Sequence, residues 1–169
     1  APDADEVVEQ AACDLQDYLQ TSQETPVRLF REPLDRPLPE QGGCIEIGTR
    51  DDWPEFGKDL SVPGSYRLRA EGRSLRLCGR NPRGAAQACY HLEDRMNFAE
   101  GPFLDPGDET RAPLFSPRMA HSGWGLDQYP DAHLNAMAHA GLDAVLVFAR
   151  GVDQTPQGFL LSGLRAANE

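Results

Sequence analysis

The chain has 169 residues, 16 of them basic and 27 acidic, for a net charge of −11. That length suits one domain or one domain plus part of another, with enough chain to bury a sizeable core. The acidic balance argues against a surface built for nucleic acid or for anionic lipid, and no apolar run approaches the roughly 20 residues of a membrane span.

Residues 3–22 read as a helix. Asp3 and Glu6 have capping-box spacing, and Val8, Ala11, Leu15 and Leu19 recur on one face. Pro26 ends the element, and Val27, Leu29 and Phe30 suggest a short strand. Residues 32–43, with three prolines and two glycines, form a loop. Cys44–Gly48 is a second short strand. A hairpin follows: Tyr66, Leu68 and Ala70 alternate with Arg67 and Arg69, and Leu75 and Leu77 alternate with Arg76 and Cys78. Glu71-Gly72 is its expected turn, and its arginines read as a solvated face. Asn81-Pro82 begins a helix, with Asn as cap and Pro at the first helical position, burying Ala85, Cys89, Leu92 and Met96. The expected class of this first part is α+β, a small sheet with helices packed on it.

Residues 99–113 are turn-rich, and a domain junction is expected near residue 112. Beyond it, Leu114–Ser122 reads as a strand, 123–130 as a loop, and Asp131 as the cap of a helix that carries Leu134, Met137 and Ala138 and ends at Gly141. The apolar run Ala144–Phe148 has the pattern of a parallel strand buried on both faces. Together these make one βαβ unit, and residues 157–167 suggest a further short helix.

Cys13, Cys44, Cys78 and Cys89 form no C-x-x-C pair and no zinc spacing. Each sits in an apolar stretch and reads as a small hydrophobe; two disulfides are the alternative for an exported protein. No signal peptide is evident at Ala1, which points to the cytoplasm, although a signal cleaved before Ala1 would leave no trace. His91-Leu92-Glu93 is not H-E-x-x-H, His133 and His139 lack metal spacing, Gly123-x-Gly125 opens no dinucleotide fingerprint, and Ser122 is not in G-x-S-x-G. No metal or cofactor is expected.

Two ordered stretches resemble a known family. Pro63-Gly64-Ser65-Tyr66-Arg67-Leu68, Leu75-Arg76-Leu77-Cys78-Gly79 and Asn81-Pro82-Arg83-Gly84-Ala85 resemble the N-terminal domain of family 20 glycoside hydrolases, the β-N-acetylhexosaminidase-like enzymes. Phe115-Ser116-Pro117-Arg118-Met119-Ala120-His121 looks like the first strand of the (β/α)8 barrel that follows it. The resemblance implies a zincin-like accessory domain without zincin metal chemistry over residues 1–112, a domain that also precedes barrels in α-glucuronidases. It implies the first βαβ portion of a TIM barrel, incomplete, over 113–169. A whole barrel needs eight strands and about 250 residues. The family's catalytic acid pair falls on a later strand, so none of it is expected in this chain.

Arg118 is the first candidate site residue, because the family's Arg at this strand binds sugar hydroxyls and a guanidinium fork suits paired acceptors. His121 ends the strand, and the carboxyl ends of barrel strands face the active site. Trp124, Asp127 and Tyr129 follow in the loop, where rings can stack on sugar faces and a carboxylate can accept sugar hydroxyls. Met119-Ala120-His121-Ser122 departs from the family's usual Gly- and Asp-rich continuation. The expected function is thus the N-terminal portion of a glycoside hydrolase with a carbohydrate substrate, the portion itself inactive. The incomplete barrel is expected to form a homo-oligomer or to bury its apolar strand with the chain's own C-terminal residues. The alternative is a non-catalytic carbohydrate-binding or structural interaction module.

Overall fold

A computed structural model describes residues 4–31, 42–121, 130–146, 152–155 and 158–161. The chain divides into two compact units, Ala1–Leu114 and Phe115–Glu169.

The first unit begins with α1, Glu6–Thr21, which buries Val8, Ala11, Leu15 and Leu19 as its periodicity requires. Its cap is Asp5, whose Oδ1 accepts the Val7 N–H at 2.9 Å. The expected cap, Asp3, lies outside the described residues. No strand forms at Val27–Phe30. Instead the Val27 carbonyl accepts the side-chain amides of Gln16 and Gln20, at 3.1 and 3.0 Å, so it is tied to the helix and not to a sheet.

Four strands make one mixed sheet: β1 (Cys44–Thr49), β2 (Tyr66–Glu71), β3 (Ser74–Gly79) and β4 (Gly107–Arg111), in the order β1-β3-β2-β4. β1 runs parallel to β3, and β2 runs antiparallel to both of its neighbours. The β2–β3 hairpin is the one the alternation predicts, but its turn is Gly72-Arg73 and not Glu71-Gly72, since Glu71 pairs with Ser74. Gly72 takes φ +59° at the first central position, as a II′ turn requires. β4 is a strand that the turn-rich reading of 99–113 missed; only one of its five residues is even half-buried.

The pleat divides the sheet into two faces. Ile45, Ile47, Leu68, Leu75 and Leu77 share one, and Leu77 is completely buried. The other carries Glu46, Arg67, Arg69 and Arg76. This face is not simply solvated. The segment after β1 brings Trp53 and Phe56 over it: the Arg76 guanidinium lies 4.7 Å from the Trp53 ring and 5.5 Å from that of Phe56, and the Arg67 guanidinium lies 4.5 Å from Phe56. Arg76 also holds Glu46 at 2.7 Å, and Arg67 holds Asp108 of β4 through two bonds of 2.6 and 2.7 Å. Stacked and paired guanidinium groups thus cover this side of the sheet.

The second helix, α2, spans Pro82–Phe98 and buries Ala85, Cys89, Leu92 and Met96 as expected. Asn81 Oδ1 accepts the N–H groups of both Gly84 and Gly64, each at 3.1 Å, so one cap ties the helix to the loop before β2. Asn81→Ala is expected to cost about 1–2 kcal/mol in urea unfolding, at the upper end for a cap because two N–H groups lose their acceptor. An unchanged midpoint would contradict this.

Helices α1 and α2 run in the same direction. The Tyr18 hydroxyl lies 2.6 Å from Asn97 Oδ1, and the Tyr90 hydroxyl lies 3.4 Å from Asp14 Oδ2, so positions advance together along both helices. Where β3 turns into α2 the backbone is tight: a Cβ on Gly79 would overlap the backbone of Asn81, Gly84 and Ala85, and one on Gly84 would overlap the Ser65 carbonyl. All four cysteines are free thiols; Cys78 and Cys89 are buried, as small hydrophobes should be, whereas Cys13 is exposed.

A charged cluster links α2 to β4. Glu109 accepts from Arg95 at 3.2 Å and from Arg111, and the His91 ring stands 3.9 Å from Glu109 and 5.7 Å from the Tyr66 ring. Burial pushes the His91 pKa below its ordinary value and Arg111 adds to this, outweighing the upward pull of Glu109. Glu109 is itself lifted by burial, but Arg111, His91 and Arg95 together bring it below the usual carboxylate value. His91 is the only histidine in residues 1–114. As pH falls through about 6.5 the unfolded chain takes up this proton before the folded one does, so stability falls. We expect the urea midpoint of the chain to drop between about pH 7.5 and pH 5.5, and the drop to shrink in His91→Gln. Equal drops in both proteins would refute this source.

In the second unit, β5 (Met119–His121) and β6 (Ala144–Leu146) are parallel and joined through α3 (Asp131–His139), a βαβ unit as expected. The expected strand Leu114–Ser122 is shorter than its pattern suggested, and Leu114 and Phe115 are exposed. Pro130, not Asp131, holds the cap position of α3; Asp131 is the first helical residue, where a carboxylate suits the helix dipole. Gly141, at φ +79°, follows the last turn. β6 is not buried on both faces within this chain: Leu146 is 44% exposed, and Val147 and Phe148 lie outside the described residues. Of the expected helix at 157–167, residues 158–161 instead form β8 (Gly158–Leu161), which pairs antiparallel with β7 (Val152–Thr155), and the remainder lies outside the described residues.

Candidate functional site

The second unit carries the residues singled out from the sequence. Arg118 immediately precedes β5, and Asp143 immediately precedes β6. Asp143 Oδ1 accepts the Arg118 N–H at 2.8 Å, and the Arg118 carbonyl accepts the N–H groups of Asp143 and Ala144 at 2.9 and 3.1 Å. These bonds clamp the amino ends of the two strands. The Arg118 Nε lies 3.6 Å from Asp143 Oδ2, close enough for an ion pair but too long for a hydrogen bond, and the Asp143 side chain is nearly buried. Nε itself is buried and has no hydrogen-bond partner among the described residues.

His121 ends β5, opposite Leu146 in the register, and is exposed. It stands at the carboxyl end of the pair of strands, roughly 10 Å along β5 from Arg118 at strand rise. The structure therefore sets Arg118 and His121 at opposite ends of the same short strand. Trp124, Asp127 and Tyr129 lie outside the described residues. Asp143, the partner of Arg118, was not singled out from the sequence; it is 25 positions away and no spacing rule joins the two.

No group of three or more His, Cys, Asp or Glu side chains able to hold a metal occurs among the described residues. No described helix is long and apolar enough to cross a membrane.

No protein-family model matches the chain, and no curated protein matches it by sequence. Solved structures do match in fold. One is a GH138 enzyme targeting pectin rhamnogalacturonan II: TM-score 0.53, 16% identity, covering 70% of this chain and 15% of that one. Another is a family GH115 4-O-methyl-α-glucuronidase with specificity for decorated arabinogalactans: TM-score 0.58, 15% identity, covering 87% of this chain and 23% of that one. The mixed α+β fold is thus shared with parts of glycoside hydrolases. This chain spans less than a quarter of the length of either.

Proposed function

We propose that the chain belongs to a glycoside hydrolase, to which it contributes a non-catalytic α+β unit followed by the first βαβ unit of the catalytic domain. The observation that carries this reading is the fold likeness to two glycoside hydrolases over 70% and 87% of the chain. The order of the two units supports it: a small sheet with helices, then parallel strands joined through a helix. In this reading residues 1–112 are the accessory domain and 113–169 open a (β/α)8 barrel. A carbohydrate substrate meets His121 and the loop carrying Trp124, Asp127 and Tyr129 at the carboxyl end of β5. Arg118, paired with Asp143 at the amino end of β5, holds the strand pair in this reading and does not meet the sugar itself. The general acid lies elsewhere in the protein, and this chain alone is inactive.

The finer reading is hexosaminidase-like, resting on the Tyr66-Arg67-Leu68 and Asn81-Pro82-Arg83-Gly84 stretches. A glucuronidase-like specificity is the second reading, favoured by the GH115 likeness. The test is an assay of the protein carrying its full coding sequence against nitrophenyl N-acetylglucosaminide, glucuronide, galactoside and rhamnoside. Release from one of them supports a glycosidase and selects the specificity; silence on all four would sink it. Self-association through the exposed β5–β6 pair belongs to the same proposal, and light scattering on the chain reads it directly.

A further inference from the structure

The first unit contains a cavity that none of the site residues above explains. It is about 300 Å³, at the small end of ligand-binding sites. It opens beyond the carboxyl ends of the parallel strands β1 and β3, the end of an open sheet where ligands bind when helices return from it. Its wall carries Asp5, Thr49, Asp51, Asp52, Arg80 and Asn81.

Most of these groups are committed. Asp5 caps α1, Asp52 Oδ2 accepts the Thr49 N–H and hydroxyl at 2.7 and 2.9 Å, and Asn81 caps α2. Two are not. Asp51 is exposed and makes no side-chain hydrogen bond among the described residues. Arg80 is anchored through its own N–H to the Ser65 carbonyl at 2.8 Å, and its Nε is buried. Its guanidinium has neither a hydrogen bond nor an ion pair among the described residues. By contrast, Arg31, Arg67, Arg69, Arg76, Arg95 and Arg111 of the same unit each hold a carboxylate. Arg80 has three carboxylates in the same wall and pairs with none.

A guanidinium in a cavity wall that holds none of the neighbouring carboxylates has terminal donors left for an occupant. The wall decides its chemistry. A guanidinium donates and cannot accept, a carboxylate accepts and does not donate, and a sugar hydroxyl does both. A multiply charged anion would meet three carboxylates, and a cation would meet the guanidinium. We propose that this cavity is a binding site for a neutral pyranose, one hydroxyl accepting from the Arg80 fork and a neighbouring hydroxyl donating to Asp51. The site concerns the first unit alone and does not depend on the glycosidase reading, so either can fail without the other.

The test is an amide-shift titration of the whole chain with D-xylose, D-galactose, D-glucuronate and inorganic phosphate in turn. The expected result is saturable binding of a neutral sugar, with shifts concentrated at 48–52 and 80–84. Asp51→Asn and Arg80→Gln should each weaken it about tenfold, the loss of one charge-assisted hydrogen bond. Asp51 is exposed, so its variant answers the question even if Arg80→Gln does not fold. No saturable shift with either neutral sugar, shifts confined to other residues, binding of phosphate or glucuronate alone, or unchanged affinity in Asp51→Asn would each overturn the proposal.

Discussion

Gly79→Ala is expected to destabilise the first unit by more than about 3 kcal/mol, enough to unfold a domain of ordinary stability. The reason is not backbone freedom, since Gly79 has no positive φ. A Cβ there would lie 2.6 Å from the Gly84 carbonyl carbon and 2.5 Å from the Asn81 carbonyl oxygen, and would overlap the Ala85 nitrogen. All three are backbone atoms of the first turn of α2, so no rotamer change relieves the clash. Nor can the turn move away: the Ser65 carbonyl blocks any outward shift at Gly84, and the Gly79 carbonyl accepts the Arg50 N–H at 2.7 Å. Gly72→Ala is the control. It places a Cβ in open space at φ +59°, so only the backbone penalty of a Gly-favouring turn position, about 1–3 kcal/mol, applies. Urea unfolding followed by circular dichroism reads both. If Gly79→Ala is no worse than Gly72→Ala, the tight β3–α2 junction is wrong.

Asp143→Ala is the second large effect, at about 3 kcal/mol in the second unit. The substitution leaves the Arg118 N–H without its acceptor and the half-buried guanidinium without its counter-charge. Asp143→Asn keeps an oxygen for the N–H and loses only the charge, so it should cost about 1 kcal/mol. Amide exchange separates the two units: protection should fall at Met119–His121 and Ala144–Leu146 and stay unchanged on β2 and β3. Unchanged protection at β5 in Asp143→Ala would show that the strands are not held together by this residue.

The elements most legible in the sequence are those whose pattern and neighbours agree. Alternation over Tyr66–Cys78 and the Asn81-Pro82 start of α2 are local signals, and the structure keeps both. The misses are non-local. β4, with the sequence Gly-Asp-Glu-Thr-Arg, has no strand pattern; it forms because the open edge of β2 supplies partners for its backbone and Arg67 supplies one for Asp108. Val27–Phe30 has the pattern and finds no partner strand among the described residues. The arginine face reads as solvated until Trp53 and Phe56 arrive from a segment with no periodicity of its own. Of the candidate site, Arg118 was picked out for a sugar contact, and its pairing with Asp143 was not legible, because a long-range ion pair leaves no spacing signature. Arg80 was passed over for the same reason: only the fold shows that it has carboxylates nearby and pairs with none.

The composition of β4 has a consequence for how the protein behaves at high concentration. Three of its five residues are charged, it lies at one end of the sheet order, and it is largely exposed. A sheet margin of this kind is a poor template for a stray strand, since docking would desolvate Asp108, Glu109 and Arg111 together. What looks like a turn-rich stretch in the sequence thus acts as a gatekeeper, closing one side of the first unit to amyloid-like growth while still completing its hydrogen-bonded ladder.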